Sequence, residues 1–354
     1  MTKVLQIIAD GNPGGGTTHV LQILNGLKNN FEYKLVTQSK SYLSKRAGEI
    51  GIDVFEVNFF TSRLDLRITY QLRKLHDEFK PDLVHVHGAR AGWLISLSNL
   101  STPLIYTVHG YHFLKKPLLQ YHAAILIEKY ISKKVDRIIF VSKYDIETAK
   151  KYRILNPRIH ATVIYNGIAL VDLNAAQSQP QHIGFIGRLV PQKDPYLFLE
   201  VVKRLPDYQA TIIGGGELEK NIQKEIEKNK LTKVKMLGAL PHDRLMDMLA
   251  SFNTIVITSR WEGLPYLPLE AMWRQVPVVS VNVGGMGEII DNMVNGILFD
   301  TRSPGELADA VRRLDSNPEF RETIVNQAKK HVQEEFSVDQ MLGKLSSEYE
   351  QALG

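Results

Sequence analysis

The residues best suited to chemistry gather in two short stretches. In Gly187-Arg188-Leu189-Val190-Pro191-Gln192-Lys193-Asp194, Arg188 and Lys193 follow an apolar run, His182 to Ile186, that reads as a strand. A loop that leaves the carboxyl edge of a sheet carrying two cations suits a diphosphate. The guanidinium fork matches phosphate oxygens and the ammonium adds a point charge, so together they can hold the departing group of a nucleotide-activated substrate. In Glu262-Gly263-Leu264-Pro265-Tyr266-Leu267-Pro268-Leu269-Glu270, carboxylates eight positions apart straddle a Gly-Leu-Pro turn, with a helix expected to begin at Pro268. Free backbone N–H groups at such a start favour anions.

Around these stand glycines and histidines that need positioning. Gly14-Gly15-Gly16 follows the first apolar run and precedes a helix expected from Thr17 or Thr18; without side chains the backbone can approach a ligand, although a plain strand-to-helix turn uses the same residues. Gly214-Gly215-Gly216 follows another strand pattern, and Gly238 through Leu240 the next. His109 ends a strand pattern beside Gly110, where its ring can point into the cleft rather than into a core, although a lone histidine is more often structural. His85 and His87 share one face of a strand, a possible metal pair, but no carboxylate or third histidine is suitably spaced in sequence. No Asp-x-Asp occurs.

The elements that must carry these residues alternate. Val4–Ala9, Tyr33–Val36, Asp53–Val57, Leu83–His87, Leu104–Val108 and Arg137–Val141 read as strands, with helices over Thr18–Lys28, Leu66–Lys80, Ala89–Leu100 and Pro117–Lys134 between them. That rhythm predicts a parallel sheet covered on both faces. The pattern restarts after the polar segment 172–181, which we assign as a linker, with strands near His182–Ile186, Gln209–Ile213, Val234–Leu237, Thr254–Thr258, Pro277–Val281 and Ile297–Phe299. The fold class is therefore α/β, with two doubly wound Rossmann-like domains, 1–171 and 182–337, and an interdomain cleft between the carboxyl ends of their sheets. A helical apolar stripe over 338–354 must pack on something.

A length of 354 residues favours two cores, and 44% hydrophobic residues can fill them. Without cysteine, disulfides, thiolate metal sites and a cysteine nucleophile are excluded. The start of the chain has too short an apolar stretch for a signal peptide, and no run of ~18 apolar residues exists, so a cytoplasmic protein is expected. The first 170 residues hold 23 of the 43 Lys+Arg and 13 of the 38 Asp+Glu, a balance of +10, which leaves −5 for the rest. Such asymmetry suits an anionic partner, whether nucleic acid, a phospholipid surface or a pyrophosphate-linked lipid, and equally a solvated surface. The stretch Lys115–Lys134 mixes apolar residues, mostly expected in the core, with lysines suited to docking on an anionic leaflet.

The Gly-Arg…Lys loop followed by Glu-x7-Glu resembles the retaining family 4 glycosyltransferases of the GT-B fold. The resemblance runs through nearly the whole chain, with Gly14-Gly15-Gly16, Pro81 to Gly88, Tyr106-Thr107-Val108-His109-Gly110-Tyr111-His112-Phe113, Val141-Ser142-Lys143 and Tyr165-Asn166-Gly167-Ile168 in matching order. It looks most like bacterial enzymes of capsule, exopolysaccharide or O-antigen assembly. The resemblance implies transfer of a hexose from a nucleotide sugar, UDP- rather than GDP-linked by preference, to a glycan or polyprenyl-diphosphate-linked acceptor. It implies no metal, no other cofactor and no nucleic acid, and it allows peripheral attachment at the inner face of the plasma membrane. His109, Arg188, Lys193 and Glu262 would then be catalytic, with His109 and Glu262 on the transferred sugar. Gly15, Gly16, Gly187, Gly214, Leu240, Gly263, Leu264, Pro265 and Glu270 would bind the donor, Glu270 at the ribose and Leu240 at the base. The last helix would cross back to the N-terminal domain. Two other functions share the architecture: a nucleotide-sugar 2-epimerase, which needs other acid and histidine residues, and a nucleotide-dependent binding protein without catalysis.

Overall fold

The computed structural model describes residues 1–60, 66–111, 113, 117–171 and 179–354. His112, Lys115, Lys116 and most of the linker segment lie outside them. The chain divides into one unit of Met1–Gly167 with Val338–Gly354 and a second of Ile168–Ser337. The division falls at Gly167 because Ile168 already pairs with Ser337, and its N–H donates to the Phe336 carbonyl at 2.8 Å.

The first unit runs β1 (Thr2–Ile8), α1 (Gly15–Leu27), β2 (Phe31–Gln38), α2 (Tyr42–Glu49), β3 (Asp53–Val57), α3 (Leu66–Phe79), β4 (Leu83–His87), α4 (Gly88–Ser96), β5 (Leu104–Val108), α5 (Leu118–Ser132), β6 (Arg137–Phe140), α6 (Lys143–Lys151) and β7 (His160–Val163). Its strands are all parallel, in the order β3-β2-β1-β4-β5-β6-β7. Every residue of β4 and β5 is buried, as a parallel sheet covered on both faces requires. The order reverses between β1 and β4, and a sheet that reverses opens a crevice at the carboxyl ends of those strands. There sit the Gly14-Gly15-Gly16 loop after β1 and His87 at the end of β4.

The second unit runs β8 (His182–Ile186), α7 (Pro195–Val202), β9 (Gln209–Ile213), α8 (Glu219–Lys228), β10 (Val234–Met236), α9 (His242–Leu249), β11 (Thr254–Ile257), α10 (Tyr266–Trp273), β12 (Val278–Val281), α11 (Met286–Ile289), β13 (Ile297–Phe299), α12 (Pro304–Ser316) and α13 (Pro318–Glu335). Strand order is β10-β9-β8-β11-β12-β13, again parallel, and the reversal lies between β8 and β11. The loop with Arg188 and Lys193 leaves one of those strands and the loop with Glu262 the other. Both units therefore put the residues singled out by their chemistry where a doubly wound sheet binds ligands.

The last helix, α14 (Val338–Leu353), belongs to the first unit. Its buried Met341, Leu342, Leu345 and Tyr349 pack with Val20, Ile23 and Leu24 of α1. Gly26 permits that approach, since a Cβ there would stand 2.2 Å from a Leu342 methyl.

Some elements depart from the sequence reading. α1 begins at Gly15, before the threonines, because Thr17 Oγ1 reaches back to accept the Gly14 N–H at 2.9 Å, which caps the helix without a capping side chain on Gly14. α10 begins at Tyr266 rather than Pro268; extended Pro265 precedes it, and Pro268 falls in the first turn, where a missing N–H breaks no helical bond. β7, α2 and α6, of four, eight and nine residues, were not anticipated.

Candidate active site

In the second unit, glycines bring three strand ends together. The Gly187 N–H donates to the Ile213 carbonyl at 2.9 Å and the Gly214 N–H to the Gly238 carbonyl at 2.8 Å, closing the ends of β8, β9 and β10. Gly214 has φ +137° and lies so close to Gly187 that a Cβ would meet the Gly187 carbonyl oxygen at 1.9 Å. Only glycine fits there. Leu240 follows β10, half-buried.

The loop after β8 carries Arg188 exposed to solvent and Lys193 turned inward. Lys193 Nζ pairs with Glu262 Oε1 at 2.5 Å, and the Glu262 side chain is only 6% exposed. The structure thus joins two residues 69 positions apart, from the β8 and β11 loops. They line one hollow with Phe185, Thr258, Pro265 and Pro268. Gly263 and Leu264 are buried beside it; the Gly263 carbonyl accepts the Gly285 N–H at 2.8 Å. Gly284, at φ +57°, lets that loop close, since a Cβ would come within 2.0 Å of the Glu262 carbonyl oxygen.

Asp194 was quoted in the motif and given no role. It is buried, sits at φ +47°, and accepts from the Leu197 N–H at the start of α7. Its Oδ2 receives Arg260 Nε at 2.9 Å and Arg302 Nη2 at 2.7 Å. Arg302 also donates to the Ser259 and Thr258 carbonyls, and Thr258 Oγ1 donates to the Lys193 and Asp194 carbonyls. A buried carboxylate between two guanidinium groups therefore pins the backbone that presents Lys193. The signal available was Asp194-Pro195, a capping residue before a first-turn proline.

Glu270 lies on α10, buried, and its Oε1 faces His242 Nε2 at 2.9 Å. The hydrogen bond that His242 donates to Glu270 raises the His242 pKa above its ordinary value, against a smaller opposing effect of burial. The two carboxylates of Glu-x7-Glu thus take different partners, an ammonium for Glu262 and an imidazole for Glu270. His242, in a polar stretch, had no sequence signal.

The first unit builds a different cluster. His109 follows β5, and its Nε2 lies 3.2 Å from His87 Nδ1, with the two rings stacked at 22°. His87 Nε2 faces Gln6 Oε1 at 2.8 Å, and Gln6 Nε2 donates to Tyr349 Oη at 2.7 Å. His85 lies 2.7 Å from both Tyr349 Oη and Thr107 Oγ1. His19, on α1, faces Asn166 Oδ1 through Nδ1 at 3.0 Å, and its ring stands edge-on to His109. Burial pushes the His19 pKa down to about 4, partly offset by Asn166, and pushes His85 and His87 well below the ordinary range, each aided by neighbouring histidines. All three are neutral near pH 7. Gly16 in the first turn of α1 abuts this cluster: a Cβ would lie 3.8 Å from the His109 ring.

In sequence no third histidine is suitably spaced from His85 and His87; in the structure two others join His87, and His85 stays outside their group. Ring nitrogens of His19, His87 and His109 lie within 4.8 Å of one another, because residues remote in sequence end at one crevice. Gln6, His19 and Tyr349 were missed. A polar Gln6 inside an apolar strand was the one visible cue.

The N-terminal part of the chain, residues 13–171, matches the model of Glycosyltransferase Family 4, and residues 172–331 match Glycosyl transferases group 1. An uncharacterised glycosyltransferase of Methanocaldococcus jannaschii is 30% identical over 319 residues, 88% of this chain and 87% of that protein. The UDP-Gal:alpha-D-GlcNAc-diphosphoundecaprenol alpha-1,3-galactosyltransferase of Escherichia coli is 26% identical over 276 residues, covering 71% of this chain and 70% of its own. The crystal structure of Anabaena HepE with UDP and glucose superposes with a TM-score of 0.83 at 18% identity, over 99% of this chain and 100% of that one. With two parallel, doubly wound domains and these matches along its length, the chain belongs to the family 4 glycosyltransferases and has the GT-B fold.

Proposed function

We propose that this glycosyltransferase moves a hexose from a UDP-sugar to a glycan carried on a polyprenyl diphosphate, with retention of anomeric configuration and without a metal, in surface-polysaccharide assembly. The observation that carries the reading is the Lys193–Glu262 pair in one hollow at the reversal point of the second sheet. An ammonium there answers the charge that develops on a departing diphosphate, and Arg188 on the same loop can close over its outer oxygens. Glu262 accepts from hydroxyls of the transferred sugar, with Gly263, Leu264 and Pro265 shaping that end. Glu270 accepts from the ribose, and Gly187, Gly214 and Leu240 border the nucleotide. His109, with Gly16 against its ring, is read as a contact of the transferred sugar, and Gly15 as part of the loop that binds the donor. The Escherichia coli relative, whose name gives a UDP-galactose donor and a diphosphoundecaprenol-linked acceptor, supports the donor and acceptor classes.

The acceptor's lipid also suits α5. Leu118, Leu119 and Leu126 are 74%, 83% and 66% exposed, the part of the stretch that stays out of the core, while Lys133 and Lys134 stand exposed at the helix end. Exposed leucines along the helix and lysines at its end fit the inner leaflet of an anionic membrane, at about 1 kcal/mol per basic residue near the surface. Among the described residues no helix is long and apolar enough to cross a membrane.

The reading is tested by incubating the protein, with EDTA present, with single UDP-hexoses and a diphosphoundecaprenol-linked sugar, then following UDP release and the anomeric configuration of the product by NMR. UDP release that needs both substrates, with a retained anomer, is expected. A C2-epimerised UDP-sugar formed from donor alone would point to the epimerase. Donor binding without any turnover would point to the non-catalytic protein. Flotation with anionic vesicles should be lost in about 0.5 M salt, where the Debye length falls well below 10 Å, and in Leu119→Ser with Leu126→Ser; equal binding to neutral vesicles would refute the charge contribution.

A further inference from the structure

The hollow of the second unit holds a cation that is already engaged. Lys193 Nζ pairs with Glu262, yet the two side chains differ in freedom: that of Glu262 is 6% exposed and that of Lys193 23%. Their backbones are fixed. Gln192, next to Lys193, accepts the Arg260 N–H on its carbonyl at 2.7 Å and donates from Nε2 to the Trp261 carbonyl at 3.0 Å, which clips the β8 loop to the β11 loop just before Glu262. Thr258 Oγ1 holds the Lys193 carbonyl at 2.9 Å, and Gly284 closes on the Glu262 carbonyl. With the loops tied in this way, the pair parts by movement of the lysine side chain. Its stem lies along Gly187, where a Cβ would stand 3.5, 3.6 and 3.8 Å from Lys193 Cγ, Cδ and Cε, and a four-carbon stem turns easily.

A ligand with a diphosphate alone must draw Lys193 from a buried carboxylate and leave Glu262 without its cation, which is costly. An intact nucleotide sugar also brings hydroxyls, and these donate to Glu262 while the ammonium turns to the diphosphate. Occupation of one end of the hollow therefore favours occupation of the other, a coupling that is reciprocal.

We propose that Glu262, by competing with the diphosphate for Lys193, is the residue through which this site distinguishes an intact nucleotide sugar from the nucleoside diphosphate left after transfer. The proposal rests on the reading of Lys193 at the diphosphate and Glu262 at the sugar given above. Once the sugar has left, Glu262 takes Lys193 back and the nucleoside diphosphate is released.

The test is calorimetric titration of the parent, Glu262→Gln, Lys193→Ala and the double variant with UDP, with inorganic pyrophosphate, and with the UDP-sugar that the parent transfers, offered without acceptor. Glu262→Gln keeps volume and removes the charge; Glu262→Asp, which withdraws the carboxylate by one methylene, replaces it if the first variant does not fold. We expect Glu262→Gln to bind UDP about tenfold more tightly than the parent, and pyrophosphate more tightly as well. The intact donor should gain less than threefold, because it loses its hydroxyl contact as the lysine is freed. In the Lys193→Ala background the gain should vanish. No gain for UDP or pyrophosphate would overturn the proposal, as would an equal gain for the intact donor or a gain that persists without Lys193. Transfer from a UDP-sugar with no gain in either probe removes the coupling and leaves the donor reading standing. A Lys193-dependent gain for pyrophosphate that UDP does not share keeps the coupling and removes UDP from that reading.

Discussion

At the reversal point of the first sheet the polar side chains are neutral and hydrogen-bonded in series; at that of the second they are ionised and paired. His19, His85 and His87 lost their charge to burial. Lys193 with Glu262, and Asp194 with Arg260 and Arg302, are opposite charges within 3 Å. The same topology, a doubly wound parallel sheet, supplies both crevices, so the fold does not decide the chemistry. The residues loaded at the strand ends do. Neutral, directional groups suit the orientation of hydroxyls, whereas fixed charges suit an anionic leaving group.

That contrast breaks most visibly on acidification. The His19 pKa is about 4 in the fold and near 6.5 when unfolded. A lowered folded value means that the unfolded chain takes up a proton the native state refuses, so stability is full above about pH 6.5 and is lost as pH falls toward 4, at about 1.4 kcal/mol per pH unit for one such group. His85 and His87 add in the same sense. In the second unit His242 has the opposite sign: its pKa is raised, so its contribution is present at low pH and is lost as pH rises through the folded value, and it is small because the ring is more than half exposed. Hydrogen exchange between pH 7 and 5 should show the first unit losing protection before the second. Equal loss in both would end the distinction.

The charged site is broken by Lys193→Ala. We expect turnover at saturating donor to fall about 100-fold, with the chain still folded at 25 °C; turnover within threefold of the parent would refute the diphosphate role. As the truncation leaves Glu262 buried without its cation, the double variant with Glu262→Gln should recover melting temperature without recovering turnover. A smaller loss should follow Asp194→Asn, which keeps the capping oxygen and removes the charge between two guanidinium groups. It should cost about 2 kcal/mol in urea denaturation and reduce turnover by letting the Lys193 backbone move. A stable but inactive Asp194→Asn would mean instead that Asp194 touches the substrate.

The sheets were legible in the sequence because parallel strands are nearly continuous apolar runs, and Leu83–His87 and Leu104–Val108 match β4 and β5 to the residue. The charged site was half legible: Lys193 and Glu262 stand in recognisable local motifs, but Arg302 reaches Asp194 across 108 positions, and no local pattern records that. The histidine series was hardly legible. Tyr349 reads as one more apolar residue in the α14 stripe, and only the packing of that helix on α1 brings its hydroxyl to Gln6 and His85. Periodicity finds what faces inward; it does not find what the inward face meets.

The finest division lies within the charged unit, between the carboxylates of Glu262 and Glu270. Glu270 shares its Oε1 with His242 and is proposed at the ribose, a contact made alike in the ground and transition states. Glu270→Gln should therefore raise donor KM about threefold with kcat nearly unchanged. Glu262 shares its carboxylate with the Lys193 ammonium, which is proposed at the leaving group, so Glu262→Gln should lower kcat with KM held. His242→Ala supplies the control: it leaves Glu270 charged but unpartnered, and should raise KM in the same direction as Glu270→Gln by no more than the same factor. Steady-state kinetics with varied donor reads all three. If Glu262→Gln and Glu270→Gln change the same parameter, the two carboxylates act on one part of the donor, and the separation between nucleotide and sugar ends of this site is wrong.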